Sequence, residues 1–151
     1  MGKKQKKTEE AEKEELTAVK KFKAVFSKER IMADKSDEAV DLYNKSRYGE
    51  YVDDKIQYSF VEALHLLERK RMNLKDDKGK MIKTDAFRKK CEKTEKNFWI
   101  RYCVFRDLRQ RGYIIKTALK FGADFRVYDK GIKPGDDHAK WIVYPLHETE
   151  N

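Results

Sequence analysis

The sequence has only two cysteines, two prolines and three histidines in 151 residues, and no apolar run approaching the length of a membrane span. Each shortage removes a class of protein. Cys91 and Cys103 stand twelve positions apart in a stretch that reads as one helix. That is too far along a helix axis for a disulfide, so both read as small core residues of an intracellular protein. No Cys/His cluster has metal-ligand spacing and no glycine-rich loop of the P-loop or dinucleotide kind is present, so neither a metal nor another cofactor is expected. The opening "MGKKQKKTEEAEKEELT" is charged where a secretory signal is apolar. Together with the missing span, it predicts a soluble, cytoplasmic protein with no membrane partner.

What the chain does have is charge. Charged residues make up 42%, and 36 Lys plus Arg against 27 Asp plus Glu leave a net charge of +9. An excess of that size builds a positive potential that speeds the arrival of nucleic acid and binds phosphates with release of counterions, without specifying a sequence or a reaction. The 39% of hydrophobic residues, aromatics included, can supply a core.

Residues 1–20 are Lys/Glu-rich and nearly free of aromatic or β-branched side chains, so they are expected to form a disordered tail. Residues 21–82 read as a small N-terminal α/β domain. Its first part, with "FKAVF" and "EYVDDKIQYS", suggests short strands and loops. "SFVEALHLLERKRM" predicts a helix of about four turns: Ser59 and Glu62 make a capping box, and Phe60, Val61, Leu64, Leu67 and the alkyl part of Arg71 recur at helical spacing. His65 within it reads as a packed or surface histidine rather than a catalytic one. "KDDKGK" reads as a turn. Residues 83–151 read as a second domain. A long helix starts near Thr84, carries Phe87, Cys91, Phe98, Tyr102 and Phe105 on one stripe, and is ended by Gly112. After it, "YIIKTALKF", "DFRVYD" and "KWIVYPL" read as strands of a mostly antiparallel sheet. The fold class expected is therefore mixed α/β (α+β).

In "FGADFRVYDKGIKPGDDHAKWIVY" alternation puts Phe121, Ala123, Phe125 and Val127 on one face and Asp124, Arg126 and Tyr128 on the other. Tyr128 ends the strand, and a ten-residue step leads to His138 at the start of the returning segment. Both side chains can thus stand at the same end of the sheet. A histidine titrates near neutral pH, and a tyrosine becomes a usable base when cations such as Arg126 and Lys130 stabilise its phenolate. Two-group proton transfer suits RNA, whose 2′-hydroxyl already lies beside the phosphorus. The same pattern also describes an ordinary hairpin.

At these residues the chain resembles the archaeal tRNA-splicing (tRNA-intron) endonuclease family. "YCVFRDLRQRGYIIKTALKFGADFRVYDKG", Tyr102 to Gly131, is similar to that family's catalytic-domain signature, "DHAKWIVY" to the strand that begins at its histidine, and "YSFVEALHLLERK" to a helix of its N-terminal domain. Ala118 stands where glycine is usual and Ala139 where serine is. The resemblance implies that Tyr128 is the base for the 2′-hydroxyl and His138 the acid for the 5′-oxygen. The implied products, made without a metal, are a 2′,3′-cyclic phosphate and a 5′-hydroxyl, and the substrate is precursor tRNA with a bulge-helix-bulge at the exon-intron junctions. Arg126 and Lys130 are the candidate RNA contacts. The family's third catalytic residue, a lysine, lies on a helix further along than Asn151, so a split or truncated enzyme completed by a partner segment is expected. The alternative is a non-catalytic, structural RNA-binding subunit. Homo- or hetero-oligomers, dimeric or tetrameric, are implied in either case.

Overall fold

The computed structural model describes residues 20–117, 125–135 and 139–144. Strands β1 (Phe22–Ser27), β2 (Arg30–Asp34), β3 (Glu50–Val52), β4 (Lys55–Tyr58) and β5 (Met72–Asp76) form one sheet in the order β3-β4-β2-β1-β5. All neighbours in it are antiparallel except β1 and β5, which run parallel. Helix α1 (Asp37–Ser46) lies between β2 and β3, α2 (Phe60–Glu68) between β4 and β5. Helices α3 (Thr84–Thr94) and α4 (Phe98–Gln110) then lead into a second, antiparallel sheet of β6 (Ile114–Thr117), β7 (Phe125–Tyr128) and β8 (Trp141–Val143), with β7 central.

Alternation within the strands sends Phe22 and Ala24, Ile31 and Ala33, Ile56 and Tyr58, and Met72 and Leu74 to the buried face of the first sheet. Against it lies α2, whose residues Phe60 to Leu67 are all buried, as befits a helix covered on every side. The rings of Phe26, Phe60 and Phe87 meet with centroids 6.0 Å apart, tying β1, α2 and α3 together. On the far side of α2, His65 packs edge-on against Phe105 of α4, and Phe105 against Phe125 of β7. One continuous core therefore runs from the first sheet through α2 and α4 to the second.

Four expectations need correction. The stretch between β2 and β3 is not loop: α1 is capped by Ser36, whose Oγ accepts from Ala39 N at 3.2 Å, and carries Asp37 and Glu38 in its first turn. Helix α2 keeps its capping box but ends at Glu68, about two and a half turns. Lys70 turns left-handed at φ 57, which releases Arg71 from the helix and starts β5 at Met72. The long helix is two helices, because Asn97 takes a left-handed φ of 60 before α4 and a Glu95 to Arg101 ion pair of 2.6 Å braces the corner. Cys91 and Cys103 accordingly lie on different helices, both as free thiols. The predicted stripe survives the break: Phe87, Cys91, Phe98, Tyr102 and Phe105 are all buried. Gly112, at φ +95, ends α4 as expected. Among the described residues no helix is long and apolar enough to cross a membrane.

Candidate active site

Cross-strand register fixes the two faces of the second sheet. Ile115 pairs with Val127 and Val127 with Trp141, while Lys116 pairs with Arg126 and Arg126 with Ile142. Phe125, Val127 and Ile115 face the core on α4. Arg126 and Tyr128 share the opposite face, as alternation predicts; Phe121, Ala123 and Asp124 lie outside the described residues. That second face is not uniformly open to solvent. Arg126 is exposed, whereas Tyr128 is only 5% exposed and its partner Ile114 is buried too. The strand end therefore holds the tyrosine ring in packed surroundings.

The loop after Tyr128 is closed at its base around Asp129. Its carboxylate accepts from Lys130 N at 2.9 Å and pairs with Lys140 at 3.1 Å, and its carbonyl accepts from Ile132 N at 3.0 Å. Lys140 N donates to Val127 O at 3.0 Å, which returns the chain to β7. The Lys140 ammonium and the Lys130 amide hold the Asp129 carboxyl below its ordinary range. His138 itself lies outside the described residues, two positions before Lys140. Lys130 is exposed, with its Nζ 5.3 Å from the centroid of the Tyr113 ring.

Sequence reasoning gave Lys116 no role, yet it is 3% exposed and holds the two sheets together. Its Nζ donates to Arg47 O at 2.7 Å and Gly49 O at 2.8 Å and pairs with Glu62 at 3.0 Å and Glu50 at 3.2 Å. Burial alone would raise the pKa of Glu62; Lys116, the Gly49 N–H at 2.7 Å and Arg109 more than offset it and hold the carboxyl below its ordinary range. Arg109 crosses the same joint, donating to Ser46 O at 2.6 Å with its guanidinium 4.0 Å from the Tyr48 ring centroid. Tyr48 in turn bonds His65 Nδ1 at 2.8 Å. Desolvation first, then Arg69, Arg109 and Arg106, pulls His65 down to about 4, so its imidazole is neutral near pH 7. The packed-histidine reading of His65 holds. The available signal for Lys116 was its place on the Arg126 face of an otherwise apolar strand.

The elements thus define a two-sheet α/β protein whose second sheet carries a buried tyrosine at a strand end, followed by a loop rich in lysine and aspartate. Residues 22–88 match the family model described as tRNA intron endonuclease, N-terminal domain, and residues 98–151 the one described as tRNA intron endonuclease, catalytic C-terminal domain. The chain is 37% identical over 124 residues to the tRNA-splicing endonuclease of Thermococcus onnurineus, covering 82% of this chain and 70% of that protein. With that of Methanothermobacter thermautotrophicus it shares 38% over 109 residues, 72% and 62% of the two chains. With that of Nanoarchaeum equitans it shares 42% over 105 residues, 66% and 67%. The chain belongs to the tRNA-splicing endonuclease family.

Proposed function

We propose that this chain is a catalytic subunit of an enzyme that cuts precursor tRNA at bulge-helix-bulge junctions. Tyr128 takes the proton of a 2′-hydroxyl, O2′ attacks the neighbouring phosphorus, the P–O5′ bond breaks, and His138 gives its proton to the departing 5′-oxygen. The products are a 2′,3′-cyclic phosphate and a 5′-hydroxyl, with no metal or redox partner needed for balance. Arg126 and Lys130 contact RNA phosphates, and a cation from another segment or subunit stabilises the charge on phosphorus. The observation that carries this reading is the placement of Tyr128: it ends β7, shares a face with Arg126, and is followed by a loop whose Lys140 N–H bonds back to β7. Residues 21–82 and 83–151 act as its two domains. Oligomeric assembly is supported by β8, which among the described residues is an edge strand, with Ile142 59% exposed and Trp141 and Tyr144 exposed too.

The burial of Tyr128 favours a second reading, a structural RNA-binding subunit in which that ring only packs. The two are separated by incubating end-labelled bulge-helix-bulge RNA in EDTA with the chain, alone and with candidate partner subunits, and probing for a cyclic phosphate. Cleavage that falls by about 100-fold or more in Tyr128→Phe and His138→Ala, with RNA binding retained, supports catalysis. Binding without cleavage under every combination leaves the structural subunit.

A further inference from the structure

A cavity of about 250 Å³ opens where the end of α1, the α2–β5 turn, the α4–β6 turn and the loop after β7 converge. Five cationic side chains line it, Lys45, Arg69, Arg71, Arg109 and Lys133, and among the described residues no carboxylate does. Among the described residues only Lys45 of the five has an acidic partner, Asp41 at 3.1 Å. Arg109 is 8% exposed and both its terminal nitrogens are engaged, by Ser46 O and by Ile115 O at 3.3 Å. The Nε atoms of Arg109 and Arg71 are buried and have no acceptor among the described residues. Those two Nε atoms are closed off from the cavity, as are those of Arg88 and Arg101 elsewhere, so what the cavity offers a ligand is the cationic side chains that line it. The surplus of positive charge among the described lining residues favours an anion over neutral water. The cavity also adjoins the candidate site: Ile114 lines it and is the register partner of Tyr128, and Gly131 and Lys133 belong to the loop that follows that tyrosine.

Building on the reading of the chain as an RNA-cleaving subunit, we propose that this cavity seats a phosphate of the RNA backbone, held by Arg71 and Lys133, with the charge of Arg109 behind them, beside the strand end that carries Tyr128. A phosphodiester offers two unesterified oxygens to guanidinium donors. The contact is one of positioning: it fixes where the strand lies and carries no base sequence.

The test uses the full chain and a bulge-helix-bulge RNA with 2′-deoxyriboses at the scissile positions, so that binding is read without cleavage. Kd is measured from 50 to 200 mM KCl for the parent, for Arg71→Gln and Lys133→Gln, and for Lys23→Gln, a charge-matched control on the exposed side of β1. Loss of one phosphate contact makes the fourfold rise in salt cost each cavity variant about three-fold less affinity than it costs the parent. The control keeps the parent's slope. Inorganic phosphate, at matched ionic strength, raises the Tm of the parent and not that of Arg71→Gln. Unchanged slopes in both cavity variants overturn the proposal, as does an Arg71-dependent rise in Tm with polyglutamate and none with phosphate, which would make the occupant an acidic polypeptide. Cleavage of the all-ribose RNA is scored separately. Cutting with unchanged slopes removes this site and leaves the endonuclease, slopes that flatten without cutting under any combination with partner subunits do the reverse, and no RNA binding at all removes both.

Discussion

Replacing Lys116 with methionine keeps most of the side-chain volume and deletes the ammonium that joins the two sheets. Glu62, 4% exposed, then keeps the Ser59 and Gly49 donors but loses its only buried cationic ion-pair partner among the described residues, and the carbonyls of Arg47 and Gly49 lose their bond to it. Breaking a buried ion pair from one side costs about 3–5 kcal/mol, because a charge is left behind in low dielectric. In a chain of this size that is a fall in Tm of roughly 10 °C. Urea unfolding of Lys116→Met should show a lower midpoint with an unchanged m-value. The double variant Lys116→Met with Glu62→Gln removes the stranded charge and should recover about 2 kcal/mol. A loss below about 1 kcal/mol in the single variant, or a double variant no better than the single, refutes the view that uncompensated charge is the cause.

Two further predictions concern the same joint. His65 binds its proton more weakly in the folded chain than the ordinary value of about 6.5, so the unfolded state holds more protons between about 4 and 6.5 and stability is lost as pH falls through that window. His65→Leu should flatten that dependence between pH 5 and 6.5 while lowering stability near pH 7, where Tyr48 loses its partner; an unchanged slope refutes the assignment. Gly49→Ala places a methyl group against Ile56 Cγ2 and 3.0 Å from Tyr58 at a backbone φ of +89, and should cost about 2–4 kcal/mol in a denaturant titration. A change under 1 kcal/mol would mean that the turn relaxes freely.

Elements that bury a strong apolar pattern were legible in the sequence. The Ser59–Glu62 capping box, the Phe87 to Phe105 stripe and the alternation of Phe125 and Val127 each needed only local spacing, and each stands in the structure. Helix α1 escaped because only Ala39 and Leu42 of its ten residues are buried, too narrow a stripe for periodicity, although Ser36 and the acidic first turn marked its start. The break before α4 escaped because it depends on a left-handed Asn97, which hydrophobic spacing does not encode. At the candidate site the faces of Arg126 and Tyr128 were legible from alternation. The burial of Tyr128 was not, since it depends on packing around the strand end that no local pattern records. The Ser46, Arg47 and Gly49 carbonyls and the Glu62 carboxylate that Arg109 and Lys116 reach across the joint lie 54 to 69 residues away, beyond any local rule.

The ties made by Lys116 and Arg109 also bear on how such chains can diversify. Each side supplies what the other cannot satisfy alone: carbonyls of the α1–β3 turn and a carboxylate of α2 on one, an ammonium of β6 and a guanidinium of α4 on the other. A hybrid joining residues before the α3–α4 corner to the remainder of a relative inherits half of that lock. Where the relative lacks the matching partner of Lys116 or Glu62, the recombinant begins life with a buried ion and no counterion.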